Sequence, residues 1–106
     1  MDIDYSVEFL AIAAHDLAEV DAHLSQFFEG TAGRFFEKFH RKLDLLSKTP
    51  KMYAAWPDNP DFRKFVVDNY LVFYRVIDEK RVVTICRILD GRRSINPDEV
   101  SMNTGV

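Results

Sequence analysis

The chain has 106 residues, 47% of them hydrophobic and 29% charged, with a formal net charge of −3. That composition describes one soluble globular domain, long enough to bury a core without disulfide or metal staples. The acidic total argues against a high-affinity, non-specific nucleic-acid binder, which relies on phosphate neutralisation. No apolar run approaches the roughly 20 residues that a membrane span needs.

Residues 3–5 alternate with aspartates and suit a short edge strand. Ser6 is placed as an N-cap, with Glu8 in the first turn to complement the helix dipole. Apolar residues then recur at Ala13, Leu17, Val20, Leu24 and Phe27, a helical stripe that leaves Asp16, Glu19, Asp21 and His23 off it. Gly30 ends this helix and Thr31 caps the next, whose stripe is Phe36, Phe39, Leu43 and Leu46. The short break between them predicts an αα-hairpin. Pro50 closes the second helix. From Pro50 to Asp61 the chain carries three prolines around Trp56; Tyr53 and Trp56 either tuck over an open core edge or form a binding lip.

Residues 62–67, 70–77 and 82–89 are apolar, β-branched and aromatic runs. Asp68-Asn69 separates the first two, and the tetrapeptide Asp78-Glu79-Lys80-Arg81 separates the last two. This is the pattern of a three-stranded antiparallel meander. A turn centred on Glu79-Lys80 sets Arg75 opposite Thr84, Phe73 opposite Cys86 and Val72 opposite Arg87. Leu71, Phe73, Cys86 and Ile88 then share one face, and Tyr70, Val72, Tyr74, Val83, Ile85, Arg87 and Leu89 the other. Both faces are largely apolar, so one lies under the helices while loops, the tail or a partner cover the other. The expected fold is α+β in the order β-α-α-β-β-β, one domain over residues 1–93, followed by a polar, loosely ordered tail over 94–106.

The charge is uneven. Residues 1–30 hold seven acids and no Lys or Arg, whereas residues 62–93 hold eight Lys/Arg against four acids. Arginine is the residue suited to carboxylates and phosphates. Arg92 and Arg93 follow Gly91 where the last strand leaves the sheet, and Arg63 begins the meander. Arg63 and Arg87 either serve a partner or pair with Asp16 or Glu19. Cys86, the single cysteine, reads as a buried reduced thiol of a cytosolic protein. His15, Glu19 and His23 share a helix stripe, read as a solvated face and not as a metal site. No HExxH, paired cysteines or glycine-rich phosphate loop occurs.

The helix segment His15 to Val20, the Leu46 to Pro50 exit, Arg63, the run Tyr70-Leu71-Val72-Phe73-Tyr74-Arg75-Val76 and the run Ile85-Cys86-Arg87-Ile88-Leu89-Asp90-Gly91-Arg92-Arg93 together resemble the ParE/RelE superfamily of type II toxin–antitoxin toxins. The resemblance spans about residues 3–93. It implies a small cytoplasmic toxin, without cofactor, bound by a cognate ParD-like antitoxin. The antitoxin's segment would carry apolar anchors and acidic residues and lie over the second sheet face or the helix-hairpin groove. RelE-like members cut mRNA on the ribosome; ParE-like members poison DNA gyrase. The RelE arginine of the middle strand falls at Leu71 here, and no tyrosine follows Tyr74 to match the RelE C-terminal one. Arginine is a poor proton shuttle at neutral pH, so the resemblance favours the ParE-like branch, with no catalytic residue. The residues expected to meet a partner or target are Arg63, Tyr70, Tyr74, Arg75, Arg87, Arg92, Arg93 and Trp56. A RelE-like endonuclease and a non-toxic antitoxin-binding module are the alternatives.

Overall fold

A computed structural model describes residues 4–102. Strand β1 (Ser6–Phe9) leads into helices α1 (Ala11–Leu24) and α2 (Thr31–Lys48). There follow a two-residue strand β2 (Ala55–Trp56), then β3 (Asn59–Val67), β4 (Tyr70–Ile77), β5 (Val82–Asp90) and a short helix α3 (Pro97–Met102). The sheet runs β1-β5-β4-β3-β2, antiparallel throughout except that β1 lies parallel to β5. The helical hairpin and the meander are present as read.

The N-terminal boundaries differ. The strand begins at Ser6 because its partner begins at Val82; Ile3 lies outside the described residues. Tyr5 precedes the strand, its hydroxyl donating to Asp78 at 2.8 Å and its ring under the Arg81 guanidinium. Ser6 and Glu8 are therefore strand residues, and Leu10 holds the N-cap position without a side-chain bond. Helix α1 stops at Leu24, which leaves Phe27 in the connection, and Gly30 at φ 87° opens α2 instead of closing α1. A left-handed residue at that point costs glycine nothing sterically. On α2 the buried face is Phe35, Phe39, Leu43 and Leu46, with Phe36 beside it.

Both faces of the sheet are packed. Towards the helices lie Phe65, Val67, Tyr70, Val72, Tyr74, Val83, Ile85 and Ile88, closed by the α2 stripe and by Ala13 and Val20. On the opposite face Trp56, Phe62, Phe73, Cys86, Leu89 and Val100 form a second core. The stretch read as a loose tail supplies its cover, because α3 inserts Val100 with no exposed surface. Trp56, 4.7 Å from the Phe73 ring, is a core residue and not a binding lip. Tyr53 tucks in as well, stacked on Phe65.

The hairpin keeps the expected register from Ile77↔Val82 to Tyr74↔Ile85, then shifts by one residue, so that Phe73 faces Arg87 and Val72 faces Ile88. A bulge adds a residue to one strand and re-aims its side chains. Ile88 thereby joins the helix-side core and Leu89 the outer one, the reverse of an unbroken register. The bulge falls where β1 has ended, so the β5 edge beyond Ile85 faces α1.

Asp16, which lies off the apolar stripe of α1 and is one of the partners offered for Arg87, fills that position. It is 7% exposed and shares the inner face of α1 with Ala13 and Val20. Its carboxylate accepts from Arg87 Nε at 2.8 Å, from Arg87 Nη2 at 3.1 Å and from the Ile88 amide at 3.0 Å. Arg87, 8% exposed, uses its remaining Nη1 on the Glu99 carbonyl of α3 at 3.3 Å. One buried pair thus fastens α1, β5 and α3 together. Replacing Asp16 by Ala leaves a buried guanidinium uncompensated and an edge amide without its acceptor. We expect a loss of about 3–5 kcal/mol in denaturant unfolding, whereas the double change Asp16→Leu with Arg87→Met loses much less.

Burial under Trp56 and Val100 also pushes the Cys86 thiol up to about 12. Because the folded value lies above the ordinary thiol range, its contribution to stability is complete below that range and is lost as pH rises towards 12. The folded chain should resist thiol reagents at pH 8, and removal of residues 96–106 should make Cys86 reactive and red-shift Trp56 fluorescence.

Candidate partner-binding site

The C-terminal end of β5, the start of β4 and the last two turns of α1 enclose a cleft of about 330 Å³, lined among others by Asp16, Glu19, His23, Tyr70, Arg87 and Arg93. A second cleft of about 500 Å³ shares His23 and Tyr70 with it and adds Thr31, Asn69 and Arg92. Four of the eight residues read from the sequence as partner-binding therefore converge: Tyr70, Arg87, Arg92 and Arg93.

The other four do not. Tyr74 is fully buried, with its hydroxyl donating to the Pro50 carbonyl at 2.9 Å, and Trp56 belongs to the outer core. Neither presents a surface to a partner, because each long aromatic strand residue has an apolar layer of this chain against it. Arg63 spends its Nη1 on the Tyr53 carbonyl at 2.5 Å, and so ties the proline-rich connection to β3. Arg75 lies over the Phe62 ring, 5.8 Å from its centre, opposite Thr84.

Each converging arginine has a carboxylate of the same chain. Arg92 donates from its own amide and Nε to Asp90 Oδ1, each at 3.0 Å, and from Nη2 to Oδ2 at 2.8 Å. The amide bond is an Asx turn, which brings the side chain of residue 92 back over residue 90. These bonds from Arg92 hold the Asp90 carboxyl down to about 2. Arg93 forms a two-pronged pair with Glu99 of α3, Nη1 to Oε2 at 3.1 Å and Nη2 to Oε1. That pair lowers the Glu99 carboxyl and raises the Arg93 guanidinium. Burial, and then the charge of Asp90, push the Tyr70 phenol up, with Arg92 acting in the opposite direction.

Asp90, Glu99 and His23 are site residues that the sequence did not nominate, whereas Asp16 was already one of the two partners offered for Arg63 or Arg87, and it is the one Arg87 takes. Asp90 carried a usable signal, since Asp-Gly-Arg at a strand end is turn chemistry. Glu99 carried none, because its partner Arg93 approaches it only through the placement of α3. His15 pairs with Glu19 at 2.9 Å on the exposed face of α1. Among the described residues no group of His, Cys, Asp or Glu is placed to hold a metal ion, and no helix is long and apolar enough to cross a membrane.

The clefts thus offer hydrogen-bond donors and acceptors with their charges internally matched. Proton transfer at neutral pH is best served by a group held near neutrality; the resolved shifts move Asp90 down and Tyr70 up, away from it.

A separate, apolar groove of about 420 Å³ opens on the other side of α1, lined by Phe9, Ala14, Leu17, Ala18, Asp21 and Phe36. It shares no residue with either cleft.

Solved structures with this architecture are toxins of toxin–antitoxin pairs. A mutant E. coli toxin RelE in the free state superposes with a TM-score of 0.64 at 20% identity, over 97% of this chain and 96% of that one. The intact E. coli RelBE toxin–antitoxin complex gives 0.62 at 22% identity, over 84% and 99%. The chromosomal ParDE system from P. aeruginosa gives 0.66 at 19% identity, over 81% and 95%. The fold is that of the RelE/ParE superfamily. No curated protein sequence matches the chain. The family model for the ParE toxin of the type II toxin–antitoxin system, parDE, matches residues 7–95, and the chain belongs to that family.

The Asp90–Arg92 arrangement has a direct test. In an NMR titration the Asp90 carboxyl should titrate at about 2, and Arg92→Ala should return it towards the ordinary carboxylate value of about 3.9. A depressed folded value means that the stabilisation from this group is present above the ordinary range and is lost as pH falls through 2. The variant should accordingly lose less stability than the parent over that acid window.

Proposed function

We propose that this ParE-family toxin inhibits DNA gyrase by protein–protein contact in the cytoplasm and is neutralised by a cognate antitoxin. The observation that carries this reading is the match to the ParE toxin model over residues 7–95. The chemistry of the clefts supports it. Arg87, Arg92 and Arg93 are closed by carboxylates of the chain itself, and the place to which the resemblance assigns the RelE middle-strand arginine, at about residue 71, is a leucine. The arrangement is suited to recognition more than to general acid–base cleavage of RNA.

The antitoxin is assigned to the apolar groove on α1. The second sheet face, the other surface anticipated for it, is filled by Trp56 and Val100 of the chain itself. Ala14 and Ala18 lie one turn apart and let a partner helix approach closely, with Phe9, Leu17 and Phe36 as apolar walls. That an antitoxin binds at all is supported by two structural neighbours, one an intact E. coli RelBE toxin–antitoxin complex and the other a ParDE toxin–antitoxin system.

Two experiments test the reading. Induced expression with and without the neighbouring open reading frame should give growth arrest, a DNA-damage response and intact transcripts, all reversed by the neighbour. Purified toxin should inhibit supercoiling by gyrase. Cleaved mRNA with unaffected gyrase would transfer the assignment to a RelE-like endonuclease, and unimpaired growth to a non-toxic binding module. For the antitoxin, Ala14→Lys together with Ala18→Lys should abolish co-purification while leaving thermal stability nearly unchanged.

A further inference from the structure

The connection between α1 and α2 holds two aromatic side chains in water: Phe27 is 56% exposed and Phe28 87%. Its backbone is firmly tied. The amides of Ser25, Gln26 and Phe27 donate to the carbonyls of Asp21, His23 and Leu24, and the Phe28 carbonyl accepts from both the amide and the hydroxyl of Thr31. These bonds hold the backbone on which Phe28 stands, and among the described residues that side chain belongs to neither core.

Phe27 forms part of the wall of the cleft that holds Thr31, Asn69, Tyr70 and Arg92. Tyr70 is an independent pointer to a ligand there. It is more than nine-tenths buried, its ring is set edge-on against Phe35, it lines both polar clefts, and its hydroxyl makes no hydrogen bond with another described residue. Arg92 leaves Nη1 unused by its bonds to Asp90. The site therefore offers two unspent donors beside an apolar tip.

Charge decides what kind of partner fits. Arg92 is matched by Asp90 and Lys38 by Asp68, and Glu29 of the connection is balanced in number by Arg34 in the first turn of α2. With three cations against three carboxylates, the surface has no positive excess to hold a phosphate chain.

We infer that this surface contacts the toxin's target, and that it takes an uncharged, apolar loop of a protein. An apolar side chain packs on Phe28 and Phe27, and a main-chain carbonyl accepts from the Tyr70 hydroxyl and Arg92 Nη1. The inference rests on the reading of the chain as a toxin that works by protein contact. It assigns the target to a surface separate from the antitoxin groove, with which it shares no lining residue.

The test uses full-length Phe28→Ala and Tyr70→Phe, the second removing only the hydroxyl. Each is titrated into a gyrase supercoiling assay, induced in cells, co-purified with the antitoxin and melted. The Phe28 variant should need about tenfold more toxin for half-inhibition, as expected on losing an aromatic anchor, and the Tyr70 variant several-fold more. Both should keep the antitoxin and the thermal midpoint. Full potency in both variants, or loss of the antitoxin instead of the target, would overturn the inference. So would binding of single-stranded RNA or DNA that disappears with Phe28. If the wild-type chain arrests growth but spares gyrase, the gyrase assignment falls and arrest becomes the readout. Variants that then fail to arrest uphold the surface; variants that arrest fully overturn it. A wild-type chain that does neither overturns both.

Discussion

Three hydrogen bonds to one buried carboxylate hold the working end of this protein together. Asp16 neutralises Arg87 and also terminates the exposed edge of β5 at Ile88, while Arg87 reaches on to α3. Burying two charges is expensive, and such a pair contributes little net stability compared with an apolar replacement. Its contribution is to geometry. Any other register of β5 against α1 would leave a guanidinium or a carboxylate unpaired in the interior, and that penalty excludes the alternatives. The bulge after Ile85 makes the pair possible, because it shifts Arg87 one place along the ladder just beyond the end of β1.

The bulge also explains how a sheet that is apolar on both faces stays covered. With Ile88 turned to the helices and Leu89 to the opposite face, each core receives a complete set of side chains. The outer core is small and depends on two pieces of irregular sequence, the Trp56 connection and α3. Those pieces are held by polar contacts at their margins: Arg63 on the Tyr53 carbonyl, Arg93 on Glu99 and Arg87 on the Glu99 carbonyl. Several arginines that would suit a ligand are therefore occupied in building the fold, and a local excess of basic residues does not make a basic surface.

What remains available for recognition is arranged on two sides of α1. One side is an apolar groove with small residues at its floor; the other is a polar cleft ending in an exposed aromatic tip. On the proposed reading, an antitoxin on the groove and a target at the tip would meet different residues.

Local patterns in the chain were enough to place the helical hairpin and the meander in order, though not β2, α3 or the bounds of β1. Periodicity placed the helical hairpin, the β-branched runs placed the meander, and the combined strand motifs pointed to the toxin family that the comparison then showed. These are local or cumulative signals, carried by neighbours within a turn or a strand. Tertiary structure decided the rest. An acidic residue on a polar-looking helix became buried because its counter-ion lies 71 positions away. One inserted residue reversed the facing of Ile88 and Leu89, since side chains alternate along a strand and a shift by one exchanges the faces. A polar C-terminal stretch became a helix on the strength of one valine that fills the outer core. Pairings between residues remote in sequence leave no pattern in a single chain, and they are what turned a list of candidate arginines into a site.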